Sequence, residues 1–268
     1  MNGEFIKVGF IGCGNMGGAI ARAISKKNNT KVYISEPNEQ KASALRAELG
    51  CEISDNISVC ESCDMIFLAI KPGLFSTVIP ELKEALCKNG SAIVVTMAAG
   101  ISLEKLASLC GERKLVRIMP NTPAAIGEGM ILWCASDEVS DRERQAFVEV
   151  MSECGRLDML DERFIDAASA ISGCGPAFVY MFAEALADGG VTCGLPRDKA
   201  MLYAAEMIRG AAGMILATGK HPGVLKDEVC SPGGSTIEGV RTLEEGAFRG
   251  VTADAVVSAY EKTKLLGK

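Results

Sequence analysis

Phe5-Ile6-Lys7-Val8-Gly9-Phe10-Ile11-Gly12-Cys13-Gly14-Asn15-Met16-Gly17, residues 5–17, is the stretch that decides the fold. A short apolar run, Phe5–Ile11, passes directly into a G-x-G-x-x-G sequence, and a helical stretch from Asn15 to Lys27 follows. Three glycines at that spacing are weak evidence alone, because glycine is common. Their place between a strand and a helix gives them chemical meaning. Gly12 permits the tight turn, Gly14 lets a diphosphate approach the backbone, and Gly17 lets the helix pack against the strand. The loop amides and the helix dipole then favour an anion along Gly12, Cys13, Gly14, Asn15, Met16 and Gly17. The segment predicts a dinucleotide-binding unit.

Outward from that unit, strands and helices alternate. Lys31–Ser35 reads as a second strand and Asn38–Leu49 as a helix with Ala42, Leu45 and Leu49 on one side. Met65–Ile70 and Ala92–Met97 are unbroken apolar runs, the pattern of strands covered on both faces of a parallel sheet. Leu115–Met119 and Gly129–Cys134 add strands, and Asp141–Cys154 a further helix. These elements predict an α/β, Rossmann-type doubly wound sheet in an N-terminal domain, residues 1–162.

From Phe164 onward no strand is expected. Helices are predicted at Pro176–Asp188, Arg197–Thr218, Pro222–Val229, Thr236–Glu245 and Ala253–Leu266, an all-helical C-terminal domain over 163–268. The two longest are apolar almost all round and need burial on every side. A domain of roughly 100 residues has too little interior for that. An intertwined homodimer, or a larger homo-oligomer, is the expected solution, with packing against the first domain as the alternative.

Composition narrows the function. The 268 residues are 48% hydrophobic and 23% charged, with a net charge of −6. With no basic block, neither nucleic acid nor an anionic membrane is an expected partner. Met1–Lys7 runs straight into the first strand, so no signal peptide is expected. The longest apolar stretch, Gly173–Ala183, falls short of the ~20 residues of a spanning helix, which predicts a soluble chain. Eleven cysteines, scattered and odd in number, read as core thiols of a cytoplasmic protein. Only Cys60 and Cys63 form a C-x-x-C pair and His221 is the sole histidine, so no metal site is expected.

The cofactor pattern extends beyond the glycine bend. A dinucleotide site expects an acid about 20 residues on, at the end of the second strand, to hold ribose hydroxyls. Glu36 stands there, next to Ser35. A carboxylate repels a 2′-phosphate, so the cofactor is NADPH or NADH with a lean to NADH; Ser35, Asn38 and Lys41 are near enough in sequence to assist a phosphate. Leu68-Ala69-Ile70-Lys71-Pro72 and Met97-Ala98-Ala99-Gly100 leave apolar strands into small or Pro-containing turns, where a nicotinamide can lie against the backbone. Ala69, Ile70, Lys71, Pro72, Met97, Ala98 and Ala99 are therefore cofactor candidates. Lys71 reads equally as a solvated charge.

A second glycine bend, Ser231-Pro232-Gly233-Gly234-Ser235-Thr236, opens a helix with Ile237, Val240 and Leu243. Ser231, Gly234, Ser235 and Thr236 form a candidate carboxylate or phosphate cradle; plain N-capping by a serine is the other reading. With GFIGCGNMG, LAIKP, AAG, MPNTP, SGCGPA, ADGGV, GLPR, HPG and above all LKDEVCSPGGSTIEGVRTLEEGAFR, the chain resembles pyrroline-5-carboxylate reductases. The blocks run from residue 9 to about 249 in the family's order.

That resemblance implies a Rossmann domain, a helical dimerisation domain, and an active site completed across the dimer. The implied activity is reduction of L-Δ1-pyrroline-5-carboxylate to L-proline with NAD(P)H, the last step of proline biosynthesis. It implies that Gly234 and Ser235 amides hold the substrate carboxylate and that Thr236 is catalytic, hydrogen-bonding the ring nitrogen. Glu162 and Val229 match positions lining the substrate pocket, and Asn56 and Lys71 match positions touching the cofactor. Two residues depart from the pattern: Cys174 replaces a usual serine, and Glu36 stands where relatives often carry a serine suited to a 2′-phosphate. Protonated imine reduction calls for orientation more than for a strong acid, which suits a chain whose one histidine more simply caps or packs. A 3-hydroxyacid-type dehydrogenase is the enzymatic rival, but Gly173–Asp188 has no lysine or histidine to serve as its base. A nucleotide-binding sensor without turnover is the non-enzymatic rival.

Overall fold

The computed structural model describes residues 5–266; residues 1–4 of the opening segment and 267–268 lie outside it. The chain divides into two compact units, Met1–Cys174 with Ala259–Lys268, and Gly175–Ser258.

The first unit is built on one sheet of β1 (Ile6–Ile11), β2 (Thr30–Ser35), β3 (Glu52–Ile53), β4 (Met65–Leu68), β5 (Ile93–Thr96), β6 (Leu115–Met119), β7 (Gly129–Ala135) and β8 (Gly155–Met159). The spatial order is β3-β2-β1-β4-β5-β6-β7-β8. Its helices are α1 (Asn15–Ile24), α2 (Glu39–Leu49), α3 (Asn56–Ser62), α4 (Phe75–Lys88), α5 (Leu103–Cys110), α6 (Asp141–Met151) and α7 (Glu162–Ser172). The pairs β1–β2 and β1–β4 are both parallel, so the order reverses beside β1, the switch point at which such sheets bind ligands. The expected doubly wound α/β sheet is present. One strand departs from the parallel pattern: β7 runs antiparallel to β6, its neighbour β8 then pairing parallel to it.

The unbroken apolar runs have the expected cause. Within β4, Met65 and Phe67 join one buried cluster with Val8, Phe10, Ile20, Val32 and Val95, while Ile66 and Leu68 join another with Val59, Ile79, Leu82 and Val94. Successive side chains face opposite sides of the strand, so both faces being covered leaves no position for a polar residue. Phe10 and Phe67 stack with ring centroids 4.8 Å apart, fixing β1 on β4 beneath the glycine bend.

The first unit continues through α7 to Cys174, beyond the 162/163 boundary suggested by sequence. The tie is polar. Buried Arg117 on β6 reaches Glu162 and Asp166 of α7, and Asn121 joins β7 to the end of α7, accepting from the Met130 amide and donating to the Ser172 carbonyl, each at 2.9 Å.

The second unit contains α8 (Gly175–Thr192), α9 (Arg197–Thr218), α10 (Pro222–Glu228), α11 (Ser235–Glu245) and the first part of α12 (Phe248–Leu266). The α8–α9 turn depends on glycine. Gly194 has φ +94°, and a Cβ on Gly190 would stand 3.1 Å from the Cβ of Ala200. These helices leave large apolar side chains uncovered in the single chain, among them Met181 at 70%, Leu202 at 51% and Leu216 at 77% exposure. Against the expectation from the longest uncharged run, Arg197–Thr218 and the stretch Glu162–Thr192, which holds α7 and α8, are apolar enough to cross a membrane by length and composition alone, a test that core helices of soluble proteins also pass.

Candidate active site

The glycine bend fits a bound diphosphate. Gly12 has φ +82°, and a Cβ there would meet the Ala69 carbonyl oxygen at 2.9 Å. A Cβ on Gly17 would lie 2.7 Å from the Ala69 Cβ, so α1 and the end of β4 approach too closely for a side chain. Gly14 differs: nothing lies within 4 Å of its missing Cβ, and it opens outward. The first turn of α1 has no side-chain cap and no acidic residue, which leaves its amides without a side-chain partner. Asn15 is exposed, Met16 half-buried and Cys13 fully buried.

Glu36 turns back onto this bend. Its carboxylate accepts from the Cys13 amide at 3.0 Å and the Asn38 amide at 3.1 Å, with Lys41 Nζ 3.7 Å away. Ser35 contributes its carbonyl, which accepts from the Gly12 amide at 2.8 Å. Burial, then the Glu36 charge, pushes the Cys13 thiol up to about 12. Cys13 is therefore an inert packing residue that offers its amide.

The other cofactor candidates occupy the same unit. Ala69 donates its amide to the Ile11 carbonyl at 2.9 Å, which locks the end of β4 onto the end of β1. Ile70 and Pro72 are half-buried beside it and Lys71 is exposed. Asn56 begins α3, after Asp55 caps that helix through the Ser58 amide at 2.8 Å. Met97, Ala98 and Ala99 lead from β5, and the Ala98 amide donates to the buried Thr96 Oγ1 at 3.3 Å. Glu162 is committed to protein partners, its Oε1 accepting from the Leu103 amide at 2.8 Å and from Arg117 Nη1 at 3.2 Å.

In the second unit, α11 begins at Ser235 with Gly234 as its cap residue and no side-chain cap. The plain serine-cap reading is thus not what the chain adopts. Gly233 has φ +68°, and a Cβ on Gly234 would fall on Ser231 Oγ. A side chain at Gly234 would force the Ser231 hydroxyl to move, and the amides of the first turn of α11 have no side-chain cap. Ser235 and Thr236 are exposed, as is Val229, which ends α10 just before this bend. His221 caps α10, its Nδ1 accepting from the Gly223 amide at 3.0 Å, so the single histidine is structural as expected.

The regions matched by known families include both bends. The family described as pyrroline-5-carboxylate reductase dimerisation matches residues 162–266, and that described as NADP oxidoreductase coenzyme F420-dependent matches residues 7–100. The pyrroline-5-carboxylate reductase of Escherichia coli K12 is 39% identical over 267 residues, covering 98% of both chains.

The chain belongs to the pyrroline-5-carboxylate reductase family.

Within the pyrroline-5-carboxylate reductase family, the pea (Pisum sativum) protein is 37% identical over 262 residues, covering 97% of this chain and 95% of the pea chain. The crystal structure of the Plasmodium falciparum enzyme with NADP bound superposes with a TM-score of 0.90 at 33% identity, covering 99% of each chain. A family dimerisation region spanning α7 to α12 accounts for the apolar side chains those helices expose: the chain self-associates.

Several polar residues of the first unit escape sequence reading. Arg117, Asn121 and Asp166 tie α7 to the sheet, and their partners lie 9–51 residues away. The one available signal was a charged residue inside the apolar run Leu115–Met119, since a buried arginine requires partners.

Proposed function

We propose that this chain reduces L-Δ1-pyrroline-5-carboxylate to L-proline at the expense of a reduced nicotinamide dinucleotide. The observation that carries the reading is the start of α11, where Gly234 fits against Ser231 and leaves the first-turn amides uncapped beside the Thr236 hydroxyl. A small carboxylic acid satisfies such amides and the helix dipole together. Family membership over almost the whole chain supports it.

The substrate is a five-membered ring with a C=N bond and a carboxylate, and its carbon becomes electrophilic when the nitrogen is protonated. A bound reduced nicotinamide supplies the hydride to that carbon. Gly234 and Ser235 amides hold the carboxylate, Thr236 Oγ1 hydrogen-bonds the nitrogen and so orients the ring, and Ser231 and Val229 line the pocket. Glu162, whose family position is one lining the substrate pocket, accepts from the Leu103 amide. These groups bind and orient the ring, which suits a reaction limited by orientation. The α8 helix contains no lysine or histidine, so the base a hydroxyacid dehydrogenase needs is missing from it.

The cofactor falls to the first unit. Gly12 to Gly17 take the diphosphate, Ser35 and Glu36 the adenosine ribose, Asn56 and Ala69 to Pro72 the flank, and Met97 to Ala99 the nicotinamide side. We infer a preference for NADH, because the Glu36 carboxylate is held by two backbone amides and disfavours a 2′-phosphate. A homodimer, or a larger assembly built from it, working in the cytoplasm completes the reading, supported by seven buried free thiols used as core residues. Incubation of the purified chain with the cyclic imine and NADH or NADPH, followed at the nicotinamide absorbance, tests it. Absence of proline formation with either nicotinamide overturns it.

A further inference from the structure

The geometry points to Arg117 as a positioning residue for the nicotinamide end of the cofactor, acting through Glu162 on the Met97–Gly100 turn. The inference rests on the reading that this turn meets the cofactor. Arg117 is an expensive residue where it stands. Its side chain is 3% exposed, and on β6 it lies between Thr96 of β5 and Cys134 of β7. Nη1 reaches Glu162 at 3.2 Å and Nη2 reaches Asp166 at 2.5 Å, but Nε is buried without a partner. A buried guanidinium with an unsatisfied donor and only part-buried carboxylate partners is poor support for stability, since packed apolar residues serve as well or better. Its value is geometric.

What it fixes is specific. Glu162 Oε1, held by Arg117, also accepts from the amide of Leu103, the first residue of α5. The turn that carries Met97, Ala98 and Ala99 is therefore fastened at both ends. On the β5 side the Thr96 hydroxyl accepts from the Ala98 amide, and on the α5 side Glu162 accepts from Leu103. Gly100, with φ +78°, is the pliable point between the two fastenings. Thr96 and Arg117 are paired in register across β5 and β6, so one frame sets both ends of the turn. Asp166 holds the other edge of the guanidinium, which stops the fork from rotating away from Glu162.

The test separates positioning from folding. Arg117→Lys keeps the charge but loses the fork, and Glu162→Gln keeps an oxygen for Leu103 but loses the charge pairing with Arg117. For each full-length variant, affinity is measured for NADH and for ADP-ribose, which has the diphosphate and ribose but no nicotinamide. Arg117→Lys is expected to weaken NADH about tenfold while leaving ADP-ribose within about twofold, with kcat falling and the KM for the imine little changed. Glu162→Gln is expected to show the same split to a smaller degree. Equal losses for both ligands in the folded variants, or no loss for either, overturn the inference. Should Arg117→Lys not fold, the Glu162→Gln ratio decides alone. A wild-type chain that binds neither NADH nor ADP-ribose defeats the cofactor reading instead.

Discussion

The Glu36 carboxylate accepts a hydrogen bond from the amide of Cys13, 23 residues earlier, at 3.0 Å. The residue expected to sort cofactors is thus also a brace for the loop proposed to bind their common part. Substituting Glu36→Ser removes the charge that opposes a 2′-phosphate and the brace together. The ratio of kcat/KM for NADPH to that for NADH is expected to rise about tenfold or more, against a modest loss with both from the slackened bend. An unchanged ratio would leave Glu36 with only its bracing role.

Two glycines of the same bend separate room for the fold from room for a ligand. Gly17→Ala puts a Cβ 2.7 Å from the Ala69 Cβ and 3.1 Å from the Gly12 carbonyl oxygen, both fixed by β4 and the bend. Overpacking of this kind costs about 1–3 kcal/mol, so Tm falls along with cofactor affinity. Gly14→Ala meets nothing within 4 Å. It is expected to keep the wild-type Tm and yet bind ADP-ribose more weakly, because its methyl group enters the space a diphosphate needs. Calorimetry of both variants beside ligand titration checks the contrast; normal binding by Gly14→Ala would move the diphosphate elsewhere.

Much of the first unit was legible because its strands are buried on both faces and its bend is built of glycines whose steric reasons are local. β8, Gly155–Met159, escaped: its sequence GRLDM is half polar because the strand has neighbours on one side alone and leaves Arg156, Asp158 and Met159 exposed. β3 is two residues long and exposed, too short for any pattern. α7 was missed for another reason. It follows an Asp161 cap with Ile165, Ser169 and Ala170 buried, a legible periodicity, but the fork from Arg117 that assigns it to the sheet joins residues 45 and 49 apart. Long-range polar pairs of this kind leave no periodic trace.

The Thr236 hydroxyl stands in the first turn of α11, one residue after the Ser235 amide that opens the helix. Thr236→Ala leaves the helix start intact and removes only the hydroxyl and a methyl group. The expected loss in kcat/KM is about 1–3 kcal/mol of transition-state stabilisation, carried mainly by kcat, with Thr236→Ser recovering most of it. Steady-state kinetics with the imine varied at saturating nicotinamide gives the answer. Equal rates for wild type and Thr236→Ala would take the hydroxyl away from the ring nitrogen.

Acid should loosen the first unit at a particular place. Burial by itself would raise the pKa of Glu143, but Lys114 at 2.5 Å and the Ser140 hydroxyl and amide at 2.7 and 3.0 Å outweigh it and hold the group at about 2. With the folded value below the ordinary 4.5, its contribution is fully present above about 4.5 and is lost as pH falls toward 2. After allowance for solvent screening of a partly exposed pair, the contribution is on the order of 1 kcal/mol. Denaturant melts at pH 7 and pH 3 should therefore differ less in Glu143→Gln than in wild type. Identical pH dependence in the two would show that the capping box at the start of α6 adds nothing measurable.

The apolar face of the second unit gives the last expectation. Phe178, Met181, Phe182, Leu243, Phe248 and Val251 line a groove of about 530 Å³, and Met181 stands 70% exposed on it in the single chain. A second copy that buries Met181 against such a surface must desolvate whatever replaces it, and an unpaired carboxylate there costs several kcal/mol. Met181→Glu should therefore shift sedimentation from dimer or larger species toward monomer at micromolar concentration. Met181→Leu, which conserves volume and apolarity, should sediment as wild type. Tm should fall with the loss of assembly and should depend on protein concentration in wild type, since subunit association and folding are linked. A Met181→Glu chain that sediments like wild type would place the interface on a different face of α8.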